Sequence, residues 1–336
     1  MEKHKIYDIT QCALYKCPTR KRLATYLKID YKYMMSKKYI SYRTRLIDKK
    51  DTSEKRVLTV PINDDLKKIQ RRIHDLLQPV IRPEWLMSST KGKSYIDNGK
   101  THIKAKYALM MDIEKFYDKC TREYVYRFFT EKLLTAPDVA TILTDIVTYN
   151  GKLPTGSSTS QILAYYAYED MFSEIEYNAK TAGCIFTLLV DDTTTSSENP
   201  FNKDKLYTDA CNVMKKYGHN PKHKKTRYYS KDKPKPITGT IITIDNKLDV
   251  PNRLRSQIYE KFQKNKTTRN SGIDIAEFSH ELTVLNGQVQ AARNVKPGIY
   301  QDISRTIKDW QYEILKSNEV SLGMVQRDGS SVPQIG

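Results

Sequence analysis

Cys184-Ile185-Phe186-Thr187-Leu188-Leu189-Val190-Asp191-Asp192-Thr193-Thr194-Thr195 is the stretch on which the fold turns. A largely apolar run, Cys184–Val190, breaks at two adjacent carboxylates, and a β-branched run, Thr193–Thr195, resumes at once. Two short runs of this kind around a tight polar break predict a β-hairpin, here with Asp191 and Asp192 at its tip. A second apolar run, Tyr107–Met111, ends in the same way at Asp112. A short continuous apolar run fits a strand covered on both faces. If the two runs are neighbours in one sheet, three carboxylates meet at one edge. Hard divalent cations take oxygen ligands, and Mg²⁺ binds through one or two carboxylates completed by substrate phosphates. An Asp-Asp pair in a turn is common by itself, so the surrounding chain must carry the inference.

Working outward, Lys55–Pro61 reads as a short strand ended by proline, and Leu66, Ile69, Ile73, Leu76 and Leu77 recur at helical spacing. Leu23, Tyr26 and Leu27 are compatible with a short helix. Residues 88–106, rich in Ser, Lys and Gly, read as a loop. Beyond Asp112, helices are predicted from Thr121 through Phe129, over Val139–Val147 after Pro137, and as one long helix over Ile162–Ala179, behind the Gly/Pro/Ser loop Leu153–Ser160. Ile237–Ile244 reads as a strand, and from Leu254 the pattern is mostly helical, with Ile307, Trp310 and Ile314 on one face.

The 336 residues carry 57 Lys and Arg against 39 Asp and Glu, a formal net charge of +18. An excess of that size points to a polyanionic partner, nucleic acid before an anionic membrane. The apolar runs are far too short to span a bilayer. The basic residues concentrate in two places: 14 Lys and Arg against 4 acids in residues 1–50, and nine against one in residues 215–235. The five cysteines are odd in number and lack a zinc spacing, which fits free thiols in a reducing cytoplasm.

Three segments then read together. Met111-Asp112-Ile113-Glu114-Lys115-Phe116-Tyr117-Asp118, Leu153-Pro154-Thr155-Gly156-Ser157-Ser158-Thr159-Ser160 and Leu189-Val190-Asp191-Asp192 resemble, in order, motifs A, B and C of reverse transcriptases. Arg56-Val57-Leu58 with Pro61 is similar to the fingers strand motif. Ser94–Gly99 with His102 is similar to a segment of bacterial retron-type enzymes. Gly218–Pro221 with Lys225-Thr226 resembles motif D, Ile237–Gly239 a Val-Thr-Gly segment, and Leu285–Gly287 a thumb motif. Three positions depart from the pattern: Thr155 where the family usually has Gln, Gln161 where it has Pro, and Leu189 where it has an aromatic residue. The resemblance covers residues from about 20 to 300 and points to a retron-type or other defence-associated bacterial branch.

The resemblance implies residue roles. Asp112 and Asp191, with the Ile113 carbonyl, would ligate two Mg²⁺ ions, and Asp192 would be a partial ligand. Two ions about 3.5–4 Å apart activate a hydroxyl and stabilise a leaving oxygen. Tyr117 sits where the family places a steric gate that favours dNTPs. Arg56, with Lys91 and Lys93 as weaker candidates, would grip the triphosphate, and Gly156 would lie at the nucleotide pocket. Lys225 would protonate the leaving pyrophosphate. Asn98 and His102 would order a fingers loop. From charge alone, Lys222, Lys224 and Arg227 are candidate phosphate contacts.

The expectation is an α+β right-hand polymerase: N-terminal region and fingers over 1–105, a palm with an antiparallel sheet backed by helices over 106–245, a helical thumb over 246–320 and a flexible tail over 321–336. Its function would be RNA-directed DNA synthesis on a dedicated structured RNA, with the RNA, its cDNA, dNTPs and an effector protein as partners and no membrane. Two alternatives stand beside it: a template-independent or protein-primed DNA polymerase, and a non-enzymatic RNA-binding scaffold.

Overall fold

The two apolar runs before the carboxylates become strands of one sheet, not the neighbours expected: the strand that follows Asp191 lies between them. In the computed structural model, which describes residues 6–48, 55–269 and 274–327, β1 (Tyr42–Asp48) and β2 (Lys55–Pro61) form an antiparallel ribbon. β3 (Tyr107–Asp112), β4 (Ile185–Leu189), β5 (Asp192–Ser197) and β6 (Arg227–Tyr229) form a second sheet in the order β4-β5-β3-β6, with every pairing antiparallel. β3 is flanked on both sides, and four of its six residues are buried, as its unbroken apolar run requires. Helices Glu169–Thr181 and Lys203–Lys216 back this sheet. Leu109, Met111 and Thr195 face Ile175, Ala179 and Leu206 across a seam whose cavity is only about 10 Å³.

Helix Asp64–Leu77 shows how local chemistry sets an element. Asn63 caps it by accepting from the Asp65 and Leu66 amides, two acids occupy its first turn, and its apolar stripe is buried. Helices Arg20–Leu27 and Pro137–Val147 form where the spacing places them. One apolar core joins all of these elements, from Cys12 to Met214.

Four sequence expectations are corrected. Residues 88–106 are not all loop: Ser94 and Asp97 close a reciprocal cap and start helix Tyr95–Thr101. The expected long helix is two, Ser160–Ala167 and Glu169–Thr181, broken at Tyr168, whose hydroxyl is held by the Lys119 carbonyl and the Thr121 amide. The helical run after Thr121 is an α-helix, Arg122–Arg127, continued by a π-helical turn, Phe128–Lys132. The Ile237–Ile244 run folds back on itself as β7 (Lys235–Ile237) and β8 (Thr240–Ile242), because Thr238 and Gly239 take left-handed backbone angles of φ 37° and 89°.

The chain divides into two compact units between Lys233 and Pro234. The second unit holds β7, β8 and β9 (Leu248–Asp249), followed by helices Asn252–Thr268, Ile275–Val295 and Gln301–Arg327. Phe278, Leu282 and Trp310 are buried together in it, with Phe262 stacked on Trp310 at 5.7 Å. The last helix continues through residues 321–327, where a flexible tail was expected; residues 328–336 lie outside the described residues. With a helix-backed antiparallel sheet and a helical C-terminal unit, the fold class is α+β.

Candidate active site

The hairpin tip is built under tension. Leu189 pairs with Asp192, leaving Val190-Asp191 as a two-residue turn, the tightest connection two antiparallel strands can have. Val190 takes φ 63°, a left-handed angle that a β-branched residue rarely adopts. Such strain costs of order 1–3 kcal/mol and persists only where the surroundings enforce it. Here the segment Trp85–Ser88 enforces it from the open edge of β4. The Leu188 amide donates to the Trp85 carbonyl at 2.9 Å, the Met87 amide to the Leu188 carbonyl at 2.8 Å, and the Val190 amide to Ser88 Oγ at 3.0 Å. The tip is thus held from outside while β3 holds it from inside.

The register between β3 and β5 sets Asp112 directly opposite Asp192, and the Ile113 amide donates to the Asp191 carbonyl at 3.2 Å. The three carboxylates predicted from separate stretches therefore meet at one sheet edge. Burial, reinforced by the charges of Asp192 and Asp112, pushes the Asp191 carboxyl up to about 7. Burial and Asp112 likewise raise Asp192.

A third segment closes on the same edge. The Glu114 amide donates to the Asn220 carbonyl at 2.8 Å, Pro221 bridges Ile113, and the Lys222 amide donates to the Asp112 carbonyl at 2.6 Å. From that anchor a single 3₁₀ turn, His223–Lys225, delivers the Lys225 ammonium onto the Asp112 carboxylate. Burial opposes the Lys225 charge, but Asp112, Asp192 and Asp191 outweigh it and raise the ammonium above its usual range.

Tyr117 is half-buried in the turn after β3, against Phe116 at 5.6 Å. Burial pushes its hydroxyl well above the usual range, and Cys120 and the Asp191 charge add to the effect, so the ring lies within the field of the carboxylate cluster. The Leu153–Ser160 loop rests on β2: the Gly156 amide donates to the Thr59 carbonyl at 2.8 Å, and Thr155 Oγ1 accepts from the Thr59 amide at 3.0 Å and donates to the Val57 carbonyl at 3.3 Å. Arg56 is exposed on β2. By strand alternation it shares one face of the ribbon with Arg43 and Arg45. That face borders a cleft of about 620 Å³ lined by Arg43, Val60, Lys67, Arg71, Gly156 and Ser158. Arg43, Lys67 and Arg71 escaped the sequence reading; the missing signal was the packing of helix Asp64–Leu77 beside the ribbon face that carries Arg43.

Not every candidate joins the site. The Lys93 ammonium donates to the Glu84 carbonyl, and Lys91 is exposed on the neighbouring turn. Lys224 and Arg227 are exposed, with Arg227 Nη1 donating to the Thr226 carbonyl at 2.8 Å, and Lys222 is half-buried. Lys235, counted in the same basic run, is 1% exposed and cannot meet a phosphate backbone from there. His102 is fully enclosed. Its ring nitrogens lie 2.6 Å from Ser196 Oγ and 2.7 Å from Thr187 Oγ1, so it ties the end of helix Tyr95–Thr101 to strands β4 and β5, and burial pushes it down to about 4.

The segments from β2 to Lys225 lie within a match to the family Reverse transcriptase (RNA-dependent DNA polymerase) over residues 47–265. The chain belongs to the reverse transcriptase family. It is 28% identical over 170 residues to the retron Se72 reverse transcriptase of Salmonella heidelberg, covering 49% of this chain and 44% of that one. It is 26% identical over 204 residues to the retron Ec86 reverse transcriptase of Escherichia coli, covering 60% and 63%. With the E. coli retron Ec83 reverse transcriptase it shares 23% over 301 residues, 85% of this chain and 88% of that one. This chain thus spans under half of the Se72 protein's length. Apo telomerase from Candida tropicalis has the same fold at a TM-score of 0.51 and 15% identity, covering 81% of this chain and 58% of that one.

Reverse transcriptases work with divalent metal ions. Among the described residues, no three His, Cys, Asp or Glu side chains are arranged to hold a metal by themselves. The donor set nevertheless fits a hard cation. Asp112, Asp191 and Asp192 offer only oxygens, the charge of Asp112 acts on both Asp191 and Asp192, and Asp112 already holds one cation, Lys225. A Mg²⁺-type site needs no more than one or two of them once substrate phosphates complete the shell. Among the described residues, no helix is long and apolar enough to cross a membrane, and all five cysteines are free and buried.

Proposed function

We propose that this chain is an RNA-directed DNA polymerase that copies a dedicated structured RNA into DNA within a retron or related anti-phage system, using two Mg²⁺ ions. The observation that carries the reading is the convergence of Asp112, Asp191 and Asp192 at one braced sheet edge with Lys225 beside them. We take fingers to residue 105, palm over 106–245 and thumb over 246–320 as its working division.

Asp112 and Asp191, with the Ile113 carbonyl, would hold the metal ions, with Asp192 contributing in part. Bound there, the ions supply Lewis acidity at the 3′-hydroxyl and the phosphates. The 3′-oxygen of the growing strand bonds to the α-phosphorus of a dNTP while the bond to pyrophosphate breaks. The hydroxyl proton passes to solvent, and Lys225 gives a proton to the departing pyrophosphate and recovers one from water. Tyr117 limits the room beneath the sugar. Arg56 meets the triphosphate, and Gly156 lets the loop lie close to the nucleotide. Lys222, Lys224 and Arg227 contact RNA phosphates, which makes binding salt-dependent.

The test is dNTP incorporation on an RNA template by the full chain. Asp191→Ala abolishes Mg²⁺-dependent incorporation and leaves RNA binding intact; undiminished incorporation would overturn the reading. Products of defined sequence formed without RNA would replace it with template-independent or protein-primed synthesis.

A further inference from the structure

We propose that Lys225 is the seat-holder of the metal site. Its ammonium serves as the counterion of Asp112 in the metal-free protein, a divalent cation displaces it, and the displacement releases it toward the nucleotide phosphates. The inference rests on the metal-site reading above and adds to it an exchange between two cations at one carboxylate.

Three facts carry it. First, the site has a charge problem without a metal. Three carboxylates converge at a sheet edge where Asp112 is buried and Asp191 and Asp192 are half-buried, and like charges in a setting with reduced access to water repel. Lys225 is the cation the structure places in bonding contact with that cluster.

Second, the ammonium is delivered by backbone, not by chance rotamer. Pro221 bridges Ile113, the Lys222 amide bonds the Asp112 carbonyl, and the Lys225 and Thr226 amides both close on the Lys222 carbonyl at 2.9 and 3.2 Å. The peptide that carries Lys225 is therefore hydrogen-bonded to the residue whose side chain Lys225 neutralises.

Third, the two partners differ in freedom. The Asp112 side chain is 11% exposed and fixed at a strand end, whereas the Lys225 side chain is 56% exposed. The lysine can swing into solvent without opening the core, and the carboxylate cannot follow. An incoming cation meets Asp112 where it stands, and the freed ammonium remains tethered within one turn of the site. This gives the general acid a reason to be absent from the phosphates until metal arrives.

The experiment uses the full chain and Mn²⁺ alone. Surface amines are labelled briefly with an acylating reagent, in chelator and in Mn²⁺, and each lysine is quantified by mass spectrometry. Lys225 should label several-fold faster in Mn²⁺, while Lys216, paired with Glu174 at 2.8 Å, stays unchanged. In parallel, Mn²⁺ binding is read by thermal shift. Lys225→Met should half-saturate at a concentration about tenfold lower than the parent, as reciprocal coupling between two competing cations requires. Lys225→Arg, which keeps the charge, should stay near the parent. Mn²⁺ binding with unchanged or slower Lys225 labelling, or with equal affinity for a folded Lys225→Met variant, would overturn the seat-holder role and leave the metal site standing. Failure of parent and variant alike to bind Mn²⁺ would overturn both. Labelling needs no variant, so a Lys225→Met chain that does not fold still leaves a decisive measurement.

Discussion

Gly156→Ala is the substitution whose consequence can be worked most directly. A Cβ built on residue 156 would stand 2.4 Å from Val60 Cγ1 and 2.9 Å from the Thr59 carbonyl oxygen. Carbon contacts are comfortable only at about 3.5–4.0 Å, so both neighbours must give. Val60 can turn its side chain. The Thr59 carbonyl cannot retreat without breaking the 2.8 Å bond it accepts from the Gly156 amide. If the loop stays, overpacking costs about 1–3 kcal/mol. If it lifts, that bond and the one from the Thr59 amide to Thr155 Oγ1 are lost, about 1 kcal/mol each. Residues 155 and 156 are exposed, so lifting is the easier escape. Stability should therefore fall by about 2 kcal/mol or less. Activity should fall further, because Gly156 lines the basic cleft with Arg43 and Lys67 and a displacement near 1 Å can cost about a hundredfold. Single-nucleotide extension kinetics read the loss as kcat/KM for dNTP, and urea unfolding reads the stability. Val60→Ala should rescue the variant in part, giving a coupling of about 0.5–3 kcal/mol in the double-mutant cycle. An unchanged kcat/KM, or a strictly additive cycle, would refute the close seating of this loop on β2.

Three further outcomes are expected. Tyr117→Ala should relax discrimination against rNTPs more than it lowers dNTP turnover in extension assays; equal rejection of rNTPs by parent and variant would make Tyr117 a packing residue. His102 is neutral and buried at about 4 against 6.5 in the unfolded chain, so its contribution is present above pH 6.5 and is lost as pH falls toward 4. It is worth about 3 kcal/mol at most, and urea titrations of His102→Gln across that window should lack this component. Neutralising Lys222, Lys224 and Arg227 together should flatten the salt dependence of structured-RNA affinity by about two to three units, one per phosphate contact; equal slopes would place the RNA elsewhere.

Legibility from sequence followed the physics of each signal. Strand β3 was readable because burial on both faces leaves an unbroken apolar run, β4 from its largely apolar run and β5 from its β-branched threonines, and the tips could be read because carboxylates interrupt the pattern. Helix Asp64–Leu77 was readable from its stripe. Helix Tyr95–Thr101 was not, because it is short and stands on a reciprocal cap rather than on periodicity. The break at Tyr168 was hidden because helical residues run on without a Gly or Pro at the joint, which is marked by the tertiary hydrogen bonds of the Tyr168 hydroxyl. Within the site, the carboxylates and Lys225 were visible as residue types in order. The cleft cations were not, since Arg43 meets Lys67 and Arg71 only through ribbon register and helix packing. The basic run over 215–235 misled in part, because charge counting cannot tell that Lys235 is buried while Lys224 is exposed.

Two of the three departures from the family pattern, Thr155 and Leu189, fall where this fold asks for bracing. Thr155 Oγ1 both accepts from and donates to the backbone of β2, so a short hydroxyl pins the loop where a longer amide would need to reach past the strand. Leu189 pairs with Asp192 at the last rung before the turn and is only half-buried, so its task is to close the hairpin, and an aromatic ring is not needed for that. The strain at Val190 is met from a different element, through Ser88 and the Trp85–Ser88 segment. The charged side chains of the proposed site, Asp112, Asp191, Asp192 and Lys225, stand on three separate segments that main-chain bonds tie together. A site assembled this way can tolerate new side chains in its scaffold, because what positions the strand ends that bear its carboxylates is register and backbone pairing.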